Sequence, residues 1–382
     1  MKEPSARVPE QTPSRVVVHV SIVHRASDIR IFHKQCRSLA DAGHTVTLYA
    51  RAPVQDLPEG TGVRVVHVPE YRSRLTRMTV GVARLLRPLW RERADVYHLH
   101  DPELIPLGLA LRARGRTVVF DAHEPLPDQI FAKSWIPGPL RRPVAWLTRL
   151  LVRIAGRGLS AVVAASPLVA ETYAGAKRLV TVANFPILHP HSSPIPYDER
   201  SRGVVYVGGI SELRGLASML DVARFACRPH GEKLTLIGPF SPPELEARLD
   251  EHGLRDVVDY LGVQPPDRAR QLVAEAKVGL ILQIGPPAYR KNLPTKMFEY
   301  MAEGLPVVAS DFPLWREILD EAGAGVVVAP EDGQAAAEAV SKLLADPAEA
   351  AAMGERGRKA VHDRYHWEPE ARKLLSLYAE LA

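Results

Sequence analysis

A lysine and a glutamate open a predicted helix in the second half of the chain, and together they could bind a nucleotide. Lys296 and Glu299 follow a loop that ends at Pro294, and the helix is predicted over residues 295–303. We expect Thr295 to cap this helix, whose free N–H groups and positive dipole end favour a phosphate. Lys296 opposes the dipole, so its position suits an anionic ligand better than it suits stability. Glu299 lies on the same helical face and could accept hydrogen bonds from ribose hydroxyls, unless it only pairs with Lys296 on a solvated surface.

A glycine pair and an arginine form a second candidate phosphate site. Gly208 and Gly209 directly follow the buried run Val204–Val207, and Arg214 comes shortly afterwards. Glycines let a backbone approach a phosphate closely, and an arginine can bind its charge with two hydrogen bonds. A tight turn between a strand and a helix, without any ligand, is the alternative explanation.

Polar residues also end the predicted strands of the first half, at the edge where parallel sheets bind ligands. The candidates there are Asp28, Arg30, His100, Asp101, His123 and Glu124. Buried, hydrogen-bonded histidines are the alternative for the imidazoles, and a simple helix cap is the alternative for Asp28.

Short β-branched runs that alternate with helical segments must position these residues. The runs are 16–23, 45–50, 63–68, 95–100, 117–123, 161–165 and 179–183, then 204–207, 234–238, 257–262, 278–283, 306–310 and 325–329. Continuous apolar runs of this kind are typical of parallel strands covered by helices on both faces. The pattern predicts the α/β class, with two Rossmann-like, doubly wound domains facing across a cleft that is the default ligand site.

A proline-rich break separates the two halves, with prolines at 186, 190, 194 and 196. We predict a disordered tail at 1–14, a first domain at 15–188, a linker at 189–202, a second domain at 203–365 and a last helix at 366–382. The tail lacks the apolar core of a signal peptide, and no run of about 18 apolar residues occurs.

Composition narrows the chemistry further. The chain has 382 residues, a formal charge of +5 and two cysteines, Cys36 and Cys227. Two distant cysteines argue against a disulfide framework and favour the cytoplasm. The positive charge suits an anionic partner such as a phosphorylated small molecule, nucleic acid or an acidic membrane surface.

Together the segments resemble the family-four retaining glycosyltransferases, which have the GT-B fold. The resemblance rests on residues 28–34, 42–46, 98–104, 121–124, 208–210 and 292–310, and its most specific part is KMFEYMAEGLPVVAS at 296–310. It implies an acceptor bound by the first domain, a nucleoside-diphosphate sugar bound by the second and a last helix that returns to the first domain. It also implies that Glu299 holds the ribose, that Lys296 and the 208–214 turn meet the diphosphate, and that His123 contacts the donor sugar.

The predicted site follows from both lines of reasoning. The catalytic candidates are His123, Arg214 and Lys296. The candidates for binding the donor nucleotide are Gly208, Gly209, Arg214, Gly262, Val263, Asn292, Thr295, Lys296 and Glu299. The acceptor-side candidates are Asp28, Arg30, His100, Asp101 and Glu124.

The sequence departs from the family pattern in two places. Lys291 stands where many members carry a second glutamate, so Asn292 or backbone N–H groups must contact the donor sugar instead. Ile210 and Ser211 follow the glycine pair where an arginine is usual, which leaves the diphosphate to Arg214 and Lys296. No D-x-D triplet occurs, so we expect neither a metal nor a cofactor.

We therefore predict a metal-independent, retaining transfer from a UDP- or GDP-sugar to an acceptor hydroxyl, in polysaccharide, glycolipid or natural-product biosynthesis. A sugar-nucleotide epimerase or a glycosyl phosphorylase on the same fold is the alternative. Nucleic-acid binding lacks a recognition motif. Peripheral contact with a membrane through the first domain is suggested by Arg77, Arg84, Arg87, Arg91 and the basic, aromatic stretch 135–147, although an ordinary outer helix with its apolar face on the sheet is the preferred explanation.

Overall fold

The computed structural model describes residues 14–51, 57, 60–132, 136–188, 194–285 and 293–381. The chain divides into two compact units. The first unit contains the described residues up to Asn184 together with those from Glu368 onward, and the second unit is Phe185–Trp367. Most of the predicted tail, residues 189–193 of the predicted linker, Trp135 and Asn292 lie outside the described residues.

The first unit contains a seven-stranded parallel sheet in the order β3-β2-β1-β4-β5-β6-β7. Its strands are β1 Val16–Arg25, β2 Thr45–Arg51, β3 Val63–Val68, β4 Val96–Leu99, β5 Thr117–Ala122, β6 Ala161–Ala164 and β7 Leu179–Thr181. The central strands are buried on both faces, whereas β3 at the edge of the sheet is half exposed.

The helices of the first unit follow the strands in turn. They are α1 Arg37–Asp41, which continues a π-helical stretch Ile29–Cys36, α2 Arg74–Thr76, a π-helical turn Arg77–Gly81, α3 Val82–Arg91, a 3₁₀ turn Pro102–Leu104, α4 Ile105–Ala113, α5 Leu126–Ala132, α6 Gly138–Gly158 and α7 Pro167–Thr172. The last helix, α15 Trp367–Glu380, also packs in this unit from Glu368 onward.

Alternate side chains of each strand lie on opposite faces of the first sheet. Val18 and Val20 share a hydrophobic core with residues of α3, α4 and α6. His19 lies on the other face, where it is paired in register with His98 of β4. On that face the hydroxyl of Tyr378 in α15 lies 2.8 Å from His98 Nδ1. Helices thus cover both faces of the sheet.

The second unit repeats this architecture with six parallel strands in the order β10-β9-β8-β11-β12-β13. Its strands are β8 Arg202–Val207, β9 Leu234–Ile237, β10 Val258–Gly262, β11 Ala276–Ile281, β12 Val307–Ser310 and β13 Gly325–Val328. Every strand predicted from the sequence is present in one of the two sheets, with ends that differ by a few residues.

The helical segments of the second unit are 3₁₀ turns Tyr197–Glu199, Glu212–Arg214 and Pro243–Ala247, a π-helical turn Ala223–Cys227, and α8 Leu216–Val222, α9 Arg248–Glu251, α10 Pro266–Ala274, α11 Thr295–Ala302, α12 Pro313–Ala322, α13 Gly333–Ala345 and α14 Pro347–Asp363. One core joins alternate strand residues to α8 and α13, and a second core joins the others to α11 and α12. The two sheets are therefore Rossmann-like and doubly wound, as predicted. Among the described residues, no helix is both long and apolar enough to cross a membrane.

Candidate active site

Glycines end neighbouring strands of the second sheet and bring three chain segments close together. Gly208 follows β8 with a φ of 126°, and Gly238 follows β9 with a φ of 132°, a region that favours glycine. A Cβ at Gly238 would collide with the carbonyl of Gly208, and a Cβ at Gly208 would collide with the ammonium group of Lys296. The strand ends can therefore pack around Lys296 only because both positions lack side chains.

Lys296 lies in the first turn of α11, and its ammonium group packs against Gly208. Its ammonium group donates a hydrogen bond of 3.2 Å to the hydroxyl of Tyr206 and lies 4.5 Å from the centre of that ring. Burial and, as a smaller cause, the positive charge of Arg214 lower the pKa of Lys296 to about 8, whereas Glu299 acts in the opposite direction. A half-buried cation of lowered pKa beside a second cation favours an anionic ligand.

The predicted cap at Thr295 is wrong. Pro294 occupies the cap position of α11, no side chain caps the helix, and Thr295 is its first helical residue. Proline fits that place because it brings a fixed φ and no N–H group that would need a partner. Thr295 still lies in the first turn beside Lys296, and its place in the nucleotide site stays a prediction.

Arg214 approaches the same place from the turn after β8. It ends the 3₁₀ turn Glu212–Arg214, and its Nη1 donates a hydrogen bond of 3.1 Å to Gln283 Oε1, just beyond β11. The Tyr206 hydroxyl in turn lies 2.8 Å from the carbonyl oxygen of Gly209 and donates to it. The structure thus brings together Arg214, Lys296, Gly208 and Gly209.

The other predicted donor-site residues are placed less uniformly. Glu299 is half-buried one turn after Lys296, and its negative charge acts to raise the pKa of Lys296. The carbonyl of Gly262, at the end of β10, accepts a hydrogen bond of 2.7 Å from Gly238, and Val263 is exposed. Asn292 lies outside the described residues.

Tyr206, Gln283 and Gly238 complete this group and were not predicted as site residues. Gly238 ends a predicted strand just as Gly208 does, and that parallel placement is a signal that could have identified it. Gln283 is the polar residue that ends the predicted run 278–283, a signal of the kind used in the first half, whereas Tyr206 carries no such signal because it lies within an apolar run.

In the first unit a buried carboxylate organises the predicted residues. Asp121 of β5 accepts hydrogen bonds of 3.0 and 2.7 Å from Arg30 and one of 2.8 Å from Gln35. His100 Nδ1 lies 3.2 Å and His123 Nε2 lies 3.1 Å from the same carboxylate. Burial alone would raise the pKa of Asp121, but Arg30 and the two histidines hold it well below its usual range.

His100 links this carboxylate to a stack of buried imidazoles. Its Nε2 lies 2.9 Å from Nδ1 of His19, and its ring stacks on that of His98 with centroids 4.9 Å apart. Burial lowers the pKa of His100 to about 3 and also lowers the pKa values of His19 and His98. These imidazoles are neutral at pH 7, and the buried-histidine alternative describes His100.

The remaining residues of the first unit fall into two groups by exposure. Arg30 and Asp101 are buried, and Asp101 accepts hydrogen bonds of 2.6 and 3.0 Å from the Ile22 amide and Ser21 hydroxyl. The side chain of His123 is 20% exposed, and Glu124 is exposed. His123 is therefore the partly exposed neighbour of Asp121, whereas Arg30 and His100 contact the same carboxylate from buried positions.

Asp28 caps the π-helical stretch that follows β1. One of its oxygens accepts a hydrogen bond of 2.9 Å from the Ile31 amide, and the other lies 3.1 Å from Nδ1 of His24. Burial would raise the pKa of Asp28, but these contacts lower it to about 2. The capping alternative therefore accounts for Asp28, and the ring of His24 lies 5.0 Å from that of His123.

His100, Asp121 and His123 have the donor types of a metal site, with ligand atoms within 4.8 Å of one another. Both carboxylate oxygens of Asp121 already accept hydrogen bonds from Arg30, whose fixed positive charge would repel a metal cation. The donor set therefore does not fit a metal ion, and the absence of a metal requirement stays a prediction.

Comparison with known proteins covers nearly the whole chain. A sequence profile described as "Glycosyl transferases group 1" matches residues 192–360, and one described as "Glycosyl transferase 4-like domain" matches residues 29–184. The phosphatidyl-myo-inositol mannosyltransferase of Mycolicibacterium smegmatis is 26% identical over 351 residues, which are 89% of this chain and 86% of the relative.

Two solved structures share the fold at lower identity. Sucrose-phosphate synthase from Thermosynechococcus elongatus aligns with a TM-score of 0.75 and 19% identity, over 96% of this chain and 99% of that one. HepE of Anabaena, solved with UDP-glucose, aligns with a TM-score of 0.72 and 17% identity, over 96% and 100% of the two chains. The two profiles show that the chain belongs to the group 1, family-four glycosyltransferases, and the two sheets together with these structures show that it has the GT-B fold.

Proposed function

We propose that this glycosyltransferase uses a nucleoside-diphosphate sugar and that its second unit binds the nucleotide. The observation that carries the proposal is the pair of cations, Lys296 and Arg214, beside the glycine-lined ends of β8 and β9. Two cations that raise each other's energy are stabilised by an anion of multiple charge, and a diphosphate is such an anion. The UDP-glucose present in the HepE structure supports the same class of donor.

The proposed reaction breaks the bond between the sugar's anomeric carbon and the diphosphate, and forms a bond to the acceptor oxygen on the same face. Negative charge grows on the departing diphosphate, where Lys296, Arg214 and the first turn of α11 stabilise it. A phosphate oxygen of the leaving group takes the proton of the acceptor hydroxyl, so no separate base is needed. Retention and this proton transfer are proposed from family membership.

We propose that His123 contacts the donor sugar and that Asp121 orients it. His123 Nε2 lies 3.1 Å from the carboxylate of Asp121, whose bonds to Arg30 fix its position. The exposed Glu124 remains a candidate for contact with the acceptor.

The nucleotide site can be tested by separating the contributions of its parts. Lys296→Ala should lower the affinity for a nucleoside diphosphate about ten- to a hundredfold, since a charge-assisted contact is worth about 1.5–3 kcal/mol. The affinity for the free nucleoside should stay nearly unchanged. Glu299→Gln should lower the affinity for ribonucleotides but not that for a 2′,3′-dideoxy analogue, which lacks the ribose hydroxyls. Lys277→Ala is the matched control, because Lys277 is a partly buried lysine of the same unit that pairs with Glu232. Unchanged nucleotide affinity in both site variants would overturn the assignment.

The melting temperature of the protein with each of several nucleoside diphosphates would identify the base. Product analysis with and without an acceptor would separate transfer from the alternatives, because an epimerase needs no acceptor and a phosphorylase needs free phosphate. Activity that survives a chelator is expected from the fixed cations. Activity that is lost with a chelator and restored by magnesium or manganese would contradict that expectation.

A further inference from the structure

Helix α6 of the first unit exposes an apolar face to solvent. Trp146 is 60% exposed, Leu147 is 56% exposed, and Leu140, Leu150 and Ile154 are also exposed. At 100° per residue these side chains fall within an arc of about 120°. Scattered exposed apolar residues are ordinary on a soluble protein, but a continuous apolar face marks a surface that binds something.

This exposed face is distinct from the face that holds α6 on its own unit. Val152 and Ala155 are buried in the core shared with the first sheet, and Ala145 packs with Ile130 and Ile136. These buried residues lie on the opposite side of the helix from Trp146 and Leu150. The helix therefore has two apolar faces, and folding of the unit uses only one of them.

A strip of four arginines borders the exposed apolar face: three lie between the two apolar faces, and the one nearest the C-terminus of α6 lies in line with the exposed face. It consists of Arg142, Arg149, Arg153 and Arg157, all exposed, and α6 contains five arginines and no acidic residue in its 21 residues. Within the part of the chain that the structure describes, none of these four arginines forms an ion pair. The fifth, Arg141, instead donates to the carbonyl oxygen of Ile136.

The segment around α3, in the same unit, also exposes apolar and basic side chains. Leu75 is 73% exposed and Met78 is exposed, and Arg84, Arg87 and Arg91 are also exposed. The apolar face of α3 itself is buried, since Leu85 and Leu89 share the core that also contains residues of α4 and α6. The helices α3 and α6 thus lie in the same layer on the first sheet.

The charge and apolar patterns together select the partner. Nucleic acid would neutralise the arginines but leave the apolar face in water. A symmetric contact with a second copy would bring like charges together. An anionic bilayer satisfies both features, because arginines lie at the level of lipid phosphates while an apolar face enters the boundary with the acyl chains. Tryptophan is favoured at that depth because its ring is apolar and its N–H is polar.

We propose that α6 docks the first unit on an anionic lipid bilayer. The helix, about 32 Å long at 1.5 Å per residue, lies in the plane of the interface. Trp146, Leu150 and Ile154 enter the lipid, and the arginine strip contacts the phosphates. This inference does not depend on the donor chemistry proposed above.

The test is sedimentation of the full chain with phosphatidylcholine vesicles that contain either no anionic lipid or about one third phosphatidylglycerol. The protein should sediment with the anionic vesicles alone, and the bound fraction should fall with salt because the phosphate contacts are screened. Arg149→Glu with Arg153→Glu should weaken binding about thirtyfold or more, since each arginine near an anionic surface contributes about fivefold. Trp146→Ser with Leu150→Ser should weaken it at least as much.

A matched control comes from the second unit, where Arg224 and Phe225 are neighbouring exposed residues on a helical turn. Arg224→Glu with Phe225→Ser should leave vesicle binding unchanged. All variants change exposed side chains, so their melting temperatures should match that of the parent. Absence of binding to anionic vesicles at low salt, or equal loss in the control, would overturn the proposal. A dimer that Trp146→Ser with Leu150→Ser converts to a monomer, without vesicle binding, would assign the face to a second copy instead.

Discussion

Replacing Lys296 by methionine should make the protein more stable while it impairs nucleotide binding. Methionine has nearly the length of lysine and can occupy the same space over Tyr206 without a charge. The substitution would remove a cation that burial and Arg214 both disfavour. It would also remove a positive charge from the first turn of a helix, where the dipole opposes it. We expect the folded state to gain from each change.

The magnitude follows from the pKa. Each unit of pKa difference between the folded and unfolded states corresponds to about 1.4 kcal/mol. The fall from 10.5 to about 8 then corresponds to about 3 kcal/mol, an upper value because Lys296 is only half-buried. For a unit of this size, 1 kcal/mol moves the melting temperature by about 2–4 °C, so the gain should not exceed about 12 °C.

The pH dependence gives the prediction its sign. Below pH 8 Lys296 is protonated in both states, and the folded state carries the whole penalty. Between pH 8 and 10.5 the unfolded chain binds a proton that the folded chain lacks, so the parent protein should become more stable as the pH rises. The methionine variant lacks this rise, and its advantage should shrink to near zero above pH 10.5.

Calorimetric melting of the parent and variant at pH 7 and pH 10 would measure this difference. Lys277→Met is the control, because Lys277 pairs with Glu232 at 2.6 Å and its loss should lower the melting temperature. A destabilised Lys296→Met at pH 7, or a gain that persists unchanged at pH 10, would refute the reasoning. Lys296 would then be an ordinary structural lysine.

Three further predictions concern the buried chemistry of both units. Asp121→Asn should destabilise the first unit by about 3–5 kcal/mol, measured by urea unfolding, because it leaves Arg30 buried without its counter-ion; an effect below 1 kcal/mol would contradict the buried ion pair. Gly238→Ala should lower both stability and nucleotide affinity, since the added methyl group collides with the Gly208 carbonyl. An unchanged nucleotide affinity, measured by titration calorimetry, would contradict this close packing of Gly238 on Gly208. The melting temperature should fall as the pH is lowered from 6.5 to 5, because buried histidines such as His98 are neutral in the folded state and bind protons in the unfolded state. A melting temperature that does not change over this range would show that these histidines can be protonated in the folded state.

The strands could be predicted because both sheets are parallel and covered by helices. Runs such as 16–23 and 204–207 are apolar without interruption, as burial on both faces requires. The carboxyl ends of such strands lie at one edge of each sheet, so the sequence also placed Gly208 at a ligand-binding edge. The same reasoning predicted that His100 and His123 end consecutive strands of the chain, and the structure shows that these strands, β4 and β5, are neighbours in the sheet.

What the sequence could not predict depends on contacts between distant segments. The hydrogen bond from Lys296 to Tyr206 and that from Arg214 to Gln283 join residues that no local pattern relates. Nor does spacing indicate which polar residues are buried. Asp28 and His100 occupy equivalent places at strand ends, yet one caps a helix and the other joins a stack of imidazoles.

The position of α15 has a consequence for how the chain is made. His98 lies 2.8 Å from the hydroxyl of Tyr378, which is 280 residues later in the chain, and the Ala183 amide donates a hydrogen bond to Glu370. During synthesis the whole second unit emerges from the ribosome before these partners exist, and it can fold as an uninterrupted segment. The first unit must wait for α15 to cover its histidines. The part of the protein that is synthesised first is therefore the part that is completed last.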